Sequence, residues 1–240
     1  KNPEQLAKPK DYNKPQKIIV IAHDGVTETE YTITKEAPTK IPYGFNAGSA
    51  KELFSVNPGN IGFPAYTELV NPSVGVLEGK LVINMGNGTA PKYLNGVTGV
   101  LEGELNIGAV QADGMTSDEG GNLIFTNKAA GGETVNIYTM NSLSATPELF
   151  HSFTNETTFV VGSVVRVIGD IKSDARMILT HEGVSGVTTA SIVTQLIISG
   201  GQVVEQAVID YAAVYPGWGE TAIHYAKVTP VSLDPAGGVM

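Results

Sequence analysis

Residues 115–127 read MTSDEGGNLIFTN, a cluster of acids, glycines and one asparagine that runs straight into Leu123, Ile124 and Phe125. Two readings compete for it, a cation-binding loop or a turn that starts a strand. A calcium loop of the helical-hand type needs oxygen ligands at alternate positions and a glutamate at the twelfth; counted from Asp113, that position is Ile124. Asp113, Asp118, Glu119 and Asn122 therefore have the wrong spacing, which leaves an irregular calcium site shared with other loops as the alternative. Gly120, Gly121 and Asn122 are residues that reverse a chain cheaply, so the stretch reads as a turn entering a strand.

The same element recurs. A glycine- or acid-rich turn followed by an apolar run appears in VLEGKLVINM at 76–85, SDEGGNLIFTN at 117–127, IKSDARMILTH at 171–181 and LDPAGGVM at 233–240. Anchored on Leu81, Leu123, Met177 and Val239, successive copies lie 42, 54 and 62 residues apart. A four-stranded propeller blade takes roughly 40 to 50 residues, with the excess going to loops. Further strand candidates fill the intervals: TVNIYTM at 134–140, PELFHSF at 147–153, then TASIVTQLIIS and QVVEQAVID around Gly200-Gly201. A helix over 189–213 is disfavoured by β-branched residues and by that glycine pair, which costs roughly 2 kcal/mol in a helix interior. The expectation is an all-β chain with a partial β-propeller of three to four antiparallel blades. The last copy stops as its strand begins, and an open ring leaves sheet edges bare, so the chain is expected to be a fragment of a longer protein.

Composition agrees. The 240 residues are 42% apolar and only 16% charged, with 28 glycines and 13 prolines, a profile of strands joined by turns. Net charge is −9, and the early lysines (Lys8, Lys10, Lys14, Lys17) are the only cluster, so nucleic acid is not an expected partner. The absence of cysteine removes disulfides, thiolate metal sites and a cysteine nucleophile. No apolar run approaches the roughly 18 residues of a spanning helix.

Residues 1–16 are polar and proline-punctuated, and read as a strap or linker. KIIVIAHDGVTETEYTITKE follows as a hairpin, with Asp24-Gly25 able to take the positive φ of a tight turn. A lone hairpin is marginal in water, so this one needs a sheet to join. APTKIPYGF then marks a boundary. The expected division is 1–40, a linker and hairpin, and 41–240, the propeller-like part.

The hairpin KPQKIIVIAHDGVTETEYTITKEAP resembles the terminal strands of Ig-like sandwich domains in secreted Bacteroidetes lipoproteins of unknown function, where a Pro-rich joint leads into a β-propeller. GAVQADGMTSDEGGNLIFTN, TVNIYTMNSLSATPELFHSF and RVIGDIKSDARMIL are similar to blades of that family. The likeness covers most of residues 15–240. It implies a place in the cell envelope, in the periplasm or on the outer-membrane surface, with the membrane met only through a lipid anchor outside this chain. It also implies a role in capturing glycans.

Catalytic signatures are sparse. Gly86-Asn87-Gly88 begins like a dinucleotide loop, but the third glycine is missing and Pro91 follows, so an Asn-Gly turn is the reading. His23, His151, His181 and His224 have no metal-motif spacing, and no G-x-S-x-G elbow occurs. No metal and no cofactor is expected. His151, in a strand, reads as a hydrogen-bonded structural residue. The most suggestive stretch is DYAAVYPGWGETAIHYAKV at 210–228, where Tyr211, Tyr215, Trp218, His224 and Tyr225 surround a Pro-Gly-Trp-Gly loop. A tryptophan on such a loop offers a flat apolar face to a sugar ring, with tyrosine and histidine to hydrogen-bond; the competing role is packing between blades. The candidate ligand-binding residues are Trp218, Tyr215, Tyr225 and His224. The expected function is a non-catalytic binding protein for a glycan or peptide. The alternatives are a carboxylate-dependent glycan hydrolase or lyase, and a structural or adhesion module.

Overall fold

The computed structural model describes residues 16–21, 23, 25–33, 52–61, 72–86, 89–182, 191–211 and 229–234. The chain divides into two compact units, Lys1–Lys51 and Glu52–Met240. The expected boundary at residue 40 lies outside the described residues.

In the first unit β1 (Gln16–Ile21) pairs antiparallel with β2 (Glu28–Ile33), from Gln16↔Ile33 to Ile21↔Glu28. Gly25 has φ +72°, as the Asp-Gly signal requires, but pairing closes at Ile21↔Glu28, so the connection is wider than a two-residue turn. Ile19, Val20, Ile21 and Tyr31 are exposed, and Lys17 pairs with Glu30 at 2.7 Å across the strands.

Among its described residues, the second unit holds three antiparallel meanders of four strands and a 3-10 turn at Pro58–Ile61. The first holds β3 (Ser73–Leu77), β4 (Lys80–Asn84), β5 (Lys92–Asn95) and β6 (Leu101–Glu104). The second holds β7 (Gly114–Ser117), β8 (Leu123–Thr126), β9 (Thr134–Met140) and β10 (Glu148–Thr154). The third holds β11 (Val160–Gly169), β12 (Ala175–Glu182), β13 (Ile192–Ser199) and β14 (Gln202–Asp210). The repeat anchors Leu81, Leu123 and Met177 all fall in the second strand of a meander. Val239 lies outside the described residues, as do Asn87 and Gly88 between β4 and β5.

Side-chain alternation explains how the meanders stack. Along β8, Leu123 and Phe125 join Leu77, Val82 and Met115 in a core against the first sheet. Ile124 joins Val135, Ile137, Met177, Leu179 and Leu196 in a core against the third. A sheet covered on both faces has no solvent side, so the LIFT of β8 is buried at all four positions. The eight residues of β12 are also buried throughout, with Met177 and Leu179 in the core shared with the second sheet and Ile178 in a separate cluster with Val193, Ile209 and Tyr211.

The leading strands β3, β7 and β11 lie side by side, and small residues bring them close. A Cβ on Gly114 would strike the Gly162 carbonyl and the Thr126 hydroxyl, which itself donates to that carbonyl. Gly162 has φ +110° at a register shift between Val161 and Val164, a conformation that glycine alone adopts without strain.

The opening stretch forms the β7–β8 connection. Gly121 takes φ +81°, and the Asp118 carboxylate accepts from the Asn122 backbone N–H at 2.7 Å and from Asn122 Nδ2 at 2.9 Å. The same carboxylate accepts from the Ile171 N–H, 2.9 Å away in the β11–β12 turn of the next sheet. Glu119 N also donates to the Gly169 carbonyl at 3.0 Å. Asp118, one of the acids that suggested a cation loop, thus caps the turn and fastens it to its neighbour, helped by the Glu119 backbone.

Candidate functional site

The third sheet carries the polar chemistry of the second unit. Along β12, Met177 and Leu179 point toward the second sheet, and His181 continues that series. His181 is 1% exposed, with Nδ1 3.1 Å from Thr157 Oγ1 and Nε2 2.8 Å from Thr194 Oγ1. Thr157 donates its own hydroxyl to Asn155 Oδ1 at 2.8 Å, so it accepts from Nδ1–H, and Nε2 accepts from Thr194. Asn155 in turn donates to the carbonyls of Ala129 and Phe159, which ties the second sheet's β8–β9 loop to the third sheet. Burial pushes the His181 pKa down from 6.5 to about 4, so the ring is neutral at ordinary pH.

The opposite face of β12 presents Arg176, Ile178 and Thr180. Ile178 packs with Val193, Ile209 and Tyr211 in a separate apolar cluster. Arg176 is buried; its Nε donates to Gln195 Oε1 at 2.7 Å, and Nη1 reaches the carbonyls of Ser232 and Asp234 at 3.3 and 3.2 Å. Arg166, on β11, stands opposite Ile178 on this same outer face. It is half-buried, and its Nη1 donates to the Val165 carbonyl at 2.8 Å. Burial lowers its pKa from the ordinary guanidinium value. Thr180 pairs with Val164, two positions along from Arg166, and its buried Oγ1 has no hydrogen-bond partner.

Of the residues expected to bind ligand, Tyr215, Trp218, His224 and Tyr225 lie outside the described residues. The positions flanking them in sequence are placed. Tyr211 is buried against Ile178 and Val193, and its backbone N–H donates to the Ser191 carbonyl at 3.0 Å. On the other side, Ser232 and Asp234 are held by Arg176. Both attachments are to the outer face of the third sheet.

His151 is in β10 as expected, stacked on Phe153 at 6.2 Å. Its Nε2 is buried without a partner, so it is not the fully hydrogen-bonded residue that the sequence suggested. Sequence reasoning missed His181, Arg166 and Arg176. The arginines did carry a signal, since they are the only two in the chain and stand ten residues apart across a turn. Among the described residues, no group of three or more His, Cys, Asp or Glu is placed to hold a metal ion.

What the outer face can do follows from its residues. It combines an apolar cluster, one fully engaged cation, one cation with donors to spare and an unused hydroxyl. Most of this face is buried, with Ile178 at 0%, Arg176, Thr180 and Val193 at 2% and Tyr211 at 8% exposure, and Arg166 and Ile209 are its partly exposed members. Residues 52–240 match the model of the family described as "Domain of unknown function (DUF8500)". No curated protein and no solved structure matches the chain.

Proposed function

The chain belongs to the DUF8500 family, and we propose that this member is a non-catalytic glycan-binding protein of the cell envelope. The three meanders act in this reading as successive blades of a partial β-propeller, and the β1–β2 hairpin as the end of an Ig-like sandwich. The observation that carries the proposal is the double attachment around the aromatic stretch. Tyr211 before it and Ser232 and Asp234 after it are fastened to one face of one sheet. Tyr215, Trp218, His224 and Tyr225 lie between those attachments in sequence and supply the stacking face and hydrogen bonds that a sugar ring uses.

The test is a glycan panel read by the intrinsic fluorescence of Trp218, the only tryptophan, with calorimetry as the second readout. Binding to at least one oligosaccharide, weakened at least tenfold by Trp218→Ala, supports the proposal. No binding across the panel, or identical binding by the variant, overturns it. Products released from any bound oligosaccharide would show a hydrolase or lyase instead.

A further inference from the structure

Lys80 and Asn95 are register partners across β4 and β5, and one carboxylate from β6 holds both. Glu102 Oε2 lies 2.6 Å from Lys80 Nζ, and Glu102 Oε1 accepts from Asn95 Nδ2 at 3.0 Å. The other end of the same amide is held as firmly: Asn95 Oδ1 accepts from the Val97 and Thr98 N–H groups, each at 3.0 Å. The Asn95 backbone is fixed too, donating to the Val100 carbonyl and accepting from the Gly99 N–H, each at 2.9 Å. Lys80 is set beside it by the turn at Glu78 and Gly79, whose φ values are +48° and +72°. That turn lies so close to the β5–β6 connection that a Cβ on Gly96 would strike the Gly79 carbonyl. Hydrogen bonds from Lys80 and then Asn95 hold the Glu102 carboxyl below its ordinary range, so it is ionised and can accept a proton.

An amine and a carboxamide held on one carboxylate, with two N–H donors on the carboxamide oxygen, are the parts of an acyl transfer. We infer that Lys80, Asn95 and Glu102 form a self-modifying site that joins Lys80 Nζ to Asn95 Cγ in an isopeptide bond. Glu102 takes a proton from the Lys80 ammonium, and the neutral amine attacks Asn95 Cγ. Negative charge gathers on Oδ1, which the Val97 and Thr98 N–H groups already meet. Glu102 passes its proton to Nδ2, and the Cγ–Nδ2 bond breaks. The departing ammonia carries off the extra proton of the attacking nitrogen, so an ammonium ion is released, the new amide is neutral and Glu102 is ionised again. The balance needs no oxidant, reductant or co-reactant. Holding the two groups on paired strands replaces a collision with a fixed geometry, the effect that lets so weak an electrophile react within a fold. The Lys80 and Glu102 side chains are 27% and 31% exposed, which leaves the ammonium ion a way out. The product ties β4 to β5 whatever ligand the chain binds.

The experiment is intact-mass spectrometry of the whole chain, fresh and after prolonged incubation at mildly alkaline pH, which favours the neutral amine, followed by peptide mapping. The expected result is a mass lower than the sequence mass by one ammonia, and a branched peptide that joins Lys80 to Asn95. Lys80→Arg keeps the ion pair with Glu102 but has no amine to give, and should retain the full mass. Glu102→Gln should slow cross-link formation about 100-fold or more, the usual contribution of a general acid or base. The wild-type mass decides the matter even if a variant folds poorly: full mass after incubation, with Lys80 and Asn95 in separable peptides, overturns the inference. Loss of ammonia from Lys80→Arg at this site also overturns it, since that marks ring closure at Asn95-Gly96 with the Gly96 nitrogen as the attacking group. Cross-linking at the wild-type rate in Glu102→Gln overturns the assignment of the carboxylate.

Discussion

Protonation of His181 should weaken the second unit across a defined pH window. The ring is neutral in the fold, donating to Thr157 from Nδ1 and accepting from Thr194 at Nε2. A proton on Nε2 turns that acceptor into a donor facing a hydroxyl that was itself donating, in a site that is 1% exposed. The folded pKa is about 4 against 6.5 for a free histidine, so the unfolded chain binds the proton first. A group depressed in this way contributes stability that is complete above about pH 6.5 and is lost as pH falls toward the folded value. Between pH 7 and pH 5 the difference is about 1.5 pH units of proton binding, or about 2 kcal/mol, rising to about 3 kcal/mol at pH 4. For a unit of this size that corresponds to a fall in melting temperature of about 4 to 8 °C at pH 5. The assay is thermal unfolding of the wild type and of His181→Gln at pH 7 and pH 5, above the range where most carboxylates titrate. Glutamine can serve both threonines without titrating, so the variant should lose much less stability over this interval. Equal pH dependence in the two proteins, or a His181 proton resonance titrating near 6.5, would refute the reasoning.

Two further perturbations probe how the meanders are joined. Asp118→Ala removes the acceptor of three N–H groups, including Ile171 N in the next sheet, and should cost about 2–4 kcal/mol in chemical denaturation. Asp118→Asn keeps one acceptor oxygen and should recover part of the loss; no effect from Asp118→Ala would deny that this turn fastens the two sheets. Gly114→Ala places a methyl against the Gly162 carbonyl and the Thr126 hydroxyl, where backbone must shift, and should destabilise by about 1–3 kcal/mol. Gly121→Ala, with nothing near its added Cβ but φ at +81°, should cost only the roughly 1 kcal/mol of left-handed strain. Equal losses in denaturant for these two glycine variants would remove close strand approach as the cause of the Gly114 requirement.

The turn grammar of the chain was legible without coordinates. Gly200-Gly201 separates β13 from β14, the glycine turn before Leu123 separates β7 from β8, and the anchors at 81, 123 and 177 mark the second strand of each meander. These are local properties: a strand period of two residues and a glycine at positive φ are set by neighbours a few positions away. The candidate site was less legible. Its aromatic residues stand out by composition, but Arg166 and Arg176 come together only because the β11–β12 hairpin pairs Arg166 with Ile178 and Arg176 with Ile168. His181 reads as an unremarkable histidine in a strand until Thr157 and Thr194 are placed on either side of its ring.

MTSDEGGNLIFTN shows where local and non-local information part. The sequence by itself determined that the chain turns at Gly120–Asn122 and enters a strand, because those residues carry their conformational preferences with them. Only the tertiary structure decided that Asp118 reaches Ile171, and that every side chain of LIFT is buried. Those outcomes depend on sheets packed against both faces of the strand, from residues tens of positions away. No residue's own propensity encodes which neighbour will cover it.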